Sequence, residues 1–174
     1  VNSLTTDAGG TLEINTAAIT TTAAQSYGEP VTLTHSALTT LTGHTITFSD
    51  TLDGPQGLIV VDAGATTFVG AVGATITAPG VTNTLASLDV TSANGTVFNG
   101  AKVYTSGAQS YASAVQVGDS TTFAGSDLSF AQTLTGLTHD VTLNSQGLTR
   151  LSGDVSVNSL TTDAGGTLEI NTAA

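Results

Sequence analysis

The sequence predicts an all-β chain wound as a parallel β-solenoid, a right-handed β-helix of about six coils per 156 residues. Three observations lead there. Threonine supplies about one residue in five, backed by Val, Ile and Leu, while Lys and Arg total 2 and Met is absent. Such β-branched side chains suit a pleated surface and lose rotamer freedom in a helix. The stretch "VNSLTTDAGGTLEINTAA" occurs as Val1 to Ala18 and again as Val157 to Ala174, a period of 156 residues. Between the copies, a five-residue unit of the form Thr, any residue, Phe or Leu, any residue, Gly recurs at similar intervals.

The strands are short. "VTLT" (31 to 34), "TITF" (45 to 48), "LIVV" (58 to 61), "LSF" (128 to 130) and "VTLN" (141 to 144) sit between clusters of Gly, Asn, Asp and Ser that supply turns. The five-residue unit reads "TTLTG" at 39 to 43, "TTFVG" at 66 to 70, "TVFNG" at 96 to 100, "TTFAG" at 121 to 125 and "TRLSG" at 149 to 153, with "TLEIN" at 11 to 15 a degraded copy. Its spacing averages about 26 residues, the length expected of one coil. Leu41, Phe68, Phe98, Phe123 and Leu151 are then inward positions, and Gly43, Gly70, Gly100, Gly125 and Gly153 turn the backbone where a side chain would obstruct it. Six coils at about 4.8 Å would advance roughly 29 Å per period.

The whole of 1–174 reads as one continuous repeat segment. A first half-repeat, 3–86, aligns with a second, 87–158, and 157–174 begins the next period. "SLTTDAGGTLEINTAAITTTAAQSYGEPVTL" from Ser3 matches "SLDVTSANGTVFNGAKVYTSGAQSYASAVQV" from Ser87 with one gap, and "TFSDTLDG" (47 to 54) matches "SFAQTLTG" (129 to 136). The first half is longer by a stretch around 74 to 86. The competing architecture is a set of tandem antiparallel β-sandwich modules, one per half-repeat, but sandwich strands have individual identities whereas these recur. Neither end carries a helical or proline-rich cap. The segment therefore reads as a window on a longer fibre, or as a subunit whose end near Ala174 meets the end near Val1 of another copy.

The repeats "ITTTAAQSYGEPVTLTHSALTTLTG", "VYTSGAQSYASAVQVGDSTTFAG" and "DAGATTFVGAVG" resemble those of giant secreted bacterial proteins related to filamentous haemagglutinin. That resemblance covers essentially the whole chain. It implies a bacterial adhesin with a long β-helical shaft, placed outside the cell or on its surface, that meets cell-surface or matrix ligands. It supplies no catalytic residues.

Composition narrows the functions further. Two basic side chains against 13 acidic ones give a net charge of -11, which repels nucleic acid. No apolar run approaches the roughly 18 residues of a membrane-crossing helix, and no signal peptide lies within the segment. Absence of cysteine removes disulfides and thiol chemistry. His35, His44 and His139 lack metal-ligand spacing. Lys102 and Arg150 are too few and too far apart to neutralise an acidic sugar as a polysaccharide lyase requires. The chain is thus expected to be a non-catalytic structural protein without cofactor. Asp7, Asp50, Asp53 and Asp62 are the candidates for calcium, although the nonapeptide G-G-x-G-x-D is missing. "DAG" at Asp7, Asp62 and Asp163 reads as a turn in which Asp bonds backbone amides and Gly takes positive φ.

The rival function is ice or carbohydrate binding. Threonine pairs in "TTT" (20 to 22), "TLT" (32 to 34), "TIT" (45 to 47 and 75 to 77) and "TNT" (82 to 84) would stack as hydroxyl ladders, against the plainer reading that Thr suits exposed strand positions. Tyr27 and Tyr111 of the two "QSY" copies are expected to anchor each half at its core edge.

Overall fold

The computed structural model describes residues 1–73, 76–78, 81–82 and 84–172, with 76–78 and 81–82 as backbone alone. Among them every regular element is a strand. The chain winds through about eight coils, each with three faces. The first face carries Leu4–Thr5, Gln25–Tyr27, Ile46–Phe48, Thr66–Phe68, Thr96–Phe98 and Val115–Val117, then the leading parts of Leu134–Ser145 and Val155–Thr162. The second carries Leu12–Ile14, Val31–Leu33, Leu52–Asp53, Lys102–Tyr104 and Thr121–Gly125, then the trailing parts of those two long strands. Bridges from Leu52 to Val72 and from Val72 to Val103 carry this face through coil 4. The third face runs Ala18–Thr20, Thr39–Gly43, Leu58–Asp62, Leu88–Ser92, Gln109–Tyr111, Leu128–Phe130, Leu148–Leu151 and Thr167–Ile170.

Pairing between coils is parallel throughout, which excludes the sandwich alternative. One antiparallel pair, Ile76–Ala78 with Val81–Thr82, lies in the longer stretch of the first half, between Val72 and Leu85.

Coils are shorter than the motif spacing suggested. Down the first face Leu4 pairs with Gln25, Gln25 with Ile46 and Ile46 with Thr66. After the long coil from Thr66 to Thr96 come Val115, Leu134 and Val155. A coil is therefore 19–21 residues, and the one from Thr66 to Thr96 is lengthened by the stretch that holds the antiparallel pair. The reason is visible in the motif positions. "TTLTG" lies on the third face, "TTFVG" and "TVFNG" on the first, "TTFAG" on the second and "TRLSG" on the third. Most steps between units span four strands, one coil and a third, so the spacing of about 26 overstates the coil.

The same arithmetic governs the long period. Leu4 sits on the first face of coil 1, yet its copy Leu160 pairs with Val141 on the second face of coil 8. One period is seven and a third coils, an axial advance of about 35 Å rather than 29 Å. The half-repeats obey it too: Gln25 is on the first face of coil 2 and its equivalent Gln109 on the third face of coil 5, three and two-thirds coils later.

Alternation within each short strand sends one set of side chains inward, and stacking places like on like. Tyr27, Phe48, Phe68 and Phe98 form a continuous column with ring centroids 4.9, 5.1 and 4.9 Å apart and nearly parallel planes. Tyr111 stacks on Phe130 at 5.0 Å, and Phe123 meets Phe98 and Phe130 edge-on. Leu41, Phe68, Phe98, Phe123 and Leu151 are all buried in this core.

Corners are tight. A Cβ on Gly100 would stand 2.3 Å from the Gly70 carbonyl oxygen of the coil above, and one on Gly70 would stand 2.5 Å from the Asp50 carbonyl carbon. These glycines are thus required by backbone approach between coils. Gly100→Ala is expected to lower unfolding free energy by about 1–3 kcal/mol in a urea titration, because the neighbouring coil offers only backbone to give way.

Candidate functional site

The buried polar groups are the first place to look for chemistry, and each closes on itself. At the "QSY" copies, Gln25 Nε2 donates to the Thr42 carbonyl at 2.8 Å and to Thr21 Oγ1 at 3.2 Å, while Tyr27 OH donates to Gln25 Oε1 at 2.7 Å. Gln109 repeats the network: its Nε2 donates to the Ala124 carbonyl at 2.8 Å and to Thr105 Oγ1 at 3.2 Å, and Tyr111 OH donates to its Oε1 at 2.9 Å. Both tyrosines are fully buried, inside the core rather than at its edge. Burial pushes both phenols well above the usual tyrosine range. Gly43 and Gly125 leave room for these brackets, since a Cβ on either would stand 2.8 Å from the threonine hydroxyl. Neither composition nor the five-residue unit marks these glutamines. The signal was there, in the spacing Thr-x-x-x-Gln-Ser-Tyr shared by 21 to 27 and 105 to 111.

Asp62 is the second buried polar centre. Its Oδ1 accepts from the Thr45 and Gly64 amides at 2.7 Å each, and its Oδ2 from the Ile46 amide at 2.8 Å and Thr66 Oγ1 at 2.9 Å. Those bonds tie the strands Ile46–Phe48, Leu58–Asp62 and Thr66–Phe68 at one corner and hold Thr45 at φ 68°, a left-handed conformation costly for a β-branched residue. In "DAGG" the positive φ falls on the second glycine, at Gly10 and Gly166. In "DAGA" Gly64 serves close approach instead, a Cβ there meeting the Thr45 amide nitrogen at 2.7 Å.

The other candidates are scattered. Asp50 is exposed and accepts from the Thr51 amide, Asp53 lies buried on the second face, and Asp7 lies in coil 1. Among the described residues no three His, Asp or Glu side chains gather as a metal site. His44 is exposed, with Nδ1 3.3 Å from Thr45 Oγ1; His35, at another corner of coil 2, and His139, in coil 7, are half-buried. Lys102 stands on the second face of coil 5, 5.9 Å from the Tyr104 ring centroid. Arg150 stands on the third face of coil 7, paired with Glu169 at 2.9 Å.

Threonine pairs fare likewise. Thr20 is on the third face, Thr32 on the second and Thr47 on the first, while Thr21 is buried and Thr45 turns a corner. "TIT" at 75 to 77 and "TNT" at 82 to 84 include positions outside the described residues. A groove of about 500 Å³ runs along the corner after the third face, lined by Thr42, Val61, Thr91, Asn94, Ser113 and Gln132 among others. It presents small neutral groups, and its one carboxylate, Asp62, is fully engaged.

The first and last coils of the described stack are each covered on one side. Among the described residues the strands of coil 1 pair only with coil 2, and those of coil 8 only with coil 7. Inward-facing Leu168 and Ile170 are 40% and 55% exposed, although Thr149 and Leu151 directly above them are buried. Leu4, Leu12 and Ile19 are correspondingly half-buried at the opposite end. No protein-family model, curated protein or solved structure matches the chain.

Two outcomes follow from the buried groups. Asp62→Asn puts an amide where four donors converge and is expected to cost about 3 kcal/mol in a denaturant titration. For the tyrosines, the folded state keeps both phenols protonated, whereas the unfolded chain ionises near pH 10. Their contribution is full below about pH 10 and falls above it by about 1.4 kcal/mol per pH unit for each phenol. Unfolding free energy measured from pH 8 to 12 should show that decline, and Tyr27→Phe with Tyr111→Phe should flatten it.

Proposed function

We propose that the chain is a non-catalytic structural segment of an extracellular fibre or adhesin stalk, built by stacking of 156-residue repeats. The observation that carries this reading is the continuation of the stack by a copy of its own beginning: residues 157–172 pair on coil 7 just as further coils pair elsewhere. Backbone ladders run along three faces, one core runs inside them, and length scales with repeat number. A net charge of -11 spread over the sheath opposes lateral clumping.

The resemblance of the repeats to filamentous-haemagglutinin-like proteins supports a bacterial origin, an external location and ligands on cell surfaces or matrix. Separation of Lys102 from Arg150 supports a role without catalysis. The placement of Thr20, Thr32 and Thr47 on three different faces supports a shaft over an ice-binding plane, which needs hydroxyls in flat register.

The test is electron microscopy of tandem copies joined as 156-residue periods. Unbranched rods lengthening by about 35 Å per added period are expected. Beads on a string, or an advance independent of repeat number, would overturn the reading.

A further inference from the structure

The chain holds three tyrosines and five phenylalanines, and all of them are buried in the core except Tyr104. Alternation decides this. In Lys102–Tyr104 the middle residue, Val103, points inward, so Lys102 and Tyr104 stand on the outer side of the second face in coil 5. The half-repeats single out the same two positions. Aligned on "AQSY", Val103 matches Ile19 and Thr105 matches Thr21, whereas Lys102 and Tyr104 stand where the first half has Ala18 and Thr20. Lys102 Nζ lies 5.9 Å from the ring centroid of Tyr104. The neighbours of Tyr104 along the ladder are Gly73 in coil 4 and Ala124 in coil 6, and neither has the bulk to cover the ring.

Tyr104 lines a groove of about 460 Å³ at the corner between the second and third faces, together with Ser106, Ser126, Asn144, Gln146 and Asp163 among others. Backbone bonds hold that corner from coil to coil: the Ser106 amide donates to the Leu85 carbonyl, the Ser126 amide to the Gly107 carbonyl and the Gln146 amide to the Gly125 carbonyl. Asn144 follows Ala124 in register, so Tyr104 and Asn144 stand on one column two coils apart, roughly 10 Å. The Ser106 and Ser126 hydroxyls already donate, to the Leu85 carbonyl and the Asp127 carboxylate. By contrast, Tyr104 OH, the side-chain amides of Asn144 and Gln146 and the Asp163 carboxylate make no hydrogen bond to another described residue. In the groove after the third face, Asp62, Ser113 and Gln132 all bond the protein and no ring is present.

We propose that the groove beside Tyr104 binds a neutral oligosaccharide, with one hexopyranose stacked on the Tyr104 ring and the hydroxyls of the adjoining units held by Asn144 and Gln146. An aromatic face takes the C–H face of a sugar ring, and a primary amide both donates and accepts, as a sugar hydroxyl does. Charge selects the class. The Asp163 carboxylate lines the groove, Lys102 does not, and the net charge is -11, so uronate, sulfated and phosphorylated ligands are repelled. A peptide is disfavoured because the backbone at this corner is already paired between coils, which leaves no strand edge to extend. The inference does not rest on the stacked-rod reading, since coils within the chain form the groove whether or not the stack continues.

The experiment is a nuclear magnetic resonance titration of the isotope-labelled full chain with cellohexaose, maltohexaose and mannohexaose, and with hexagalacturonate as the acidic control. At least one neutral hexasaccharide is expected to bind with a Kd of about 1 mM or below, moving the amide signals of Tyr104, Asn144 and Gln146. Tyr104→Thr, which places the first half's residue at this outward position, is expected to weaken that binding about tenfold, while Tyr104→Phe keeps it within about threefold. Thr47→Ala, on the first face, leaves it unchanged. If Tyr104→Thr fails to fold, as judged by circular dichroism, Asn144→Ala with Gln146→Ala gives the same loss. The proposal is overturned by no saturable binding of any of the three at about 10 mM, by signal changes centred on another face, by binding that survives Tyr104→Thr, or by tighter binding of hexagalacturonate. Rods that bind no sugar would leave the rod reading standing and remove only this site.

Discussion

The structure depends on one constraint: each coil must lie on the last in register, at the spacing of a parallel backbone ladder. That spacing is also a comfortable distance for stacked rings, so Tyr27, Phe48, Phe68 and Phe98 gain a continuous column simply by occupying successive coils at one register position. It leaves no room at the corners, which is why Gly70 and Gly100 sit where a methyl group would strike the neighbouring carbonyl. It also leaves inward polar groups without water, so Asp62 and the two glutamines must find all their partners in adjacent strands.

A second feature follows from the way sequence and space are counted. The ladder repeats every coil, but the sequence repeats every three and two-thirds coils in its halves and every seven and a third in full. Equivalent residues consequently meet different surroundings. Tyr27 heads a column of rings on the first face, whereas Tyr111 on the third face stacks on Phe130 and meets Phe98 and Phe123 edge-on. What survives the change of face is the local bracket of Thr, Gln and Tyr, because all its partners lie within one corner and the coil beside it.

The parallel solenoid was legible because β-branched composition and recurrent Thr-x-Phe/Leu-x-Gly units are local consequences of a pleated strand ending in a tight corner. Inward positions such as Leu41, Phe98 and Leu151 were legible for the same reason. Coil length was not. A strand motif marks a corner without saying which of three corners it is, so units one and a third coils apart read as one coil. The roles of Gln25 and Gln109 were hidden because their partners, the Thr42 and Ala124 carbonyls, belong to segments some 15 to 17 residues away. "DAG" was half legible: Asp62 does gather backbone amides, but two of them, on Thr45 and Ile46, come from the start of the same coil, 17 and 16 residues earlier.

Those buried brackets bear on the specificity of the rod as well as its stability. A stack of near-identical apolar coils could slip by one coil, or turn by one face, with little change in the hydrophobic area covered. Such a slip would set the Gln25 amide against an apolar neighbour and strip Asp62 of its four donors, leaving buried polar groups without partners at roughly 1–3 kcal/mol each, more for the carboxylate. The polar centres therefore count the coils that the hydrophobic core cannot tell apart. The Thr-Gln-Tyr brackets recur once per half-repeat, on the first face at Gln25 and on the third at Gln109, so the check is repeated on a different side of the rod.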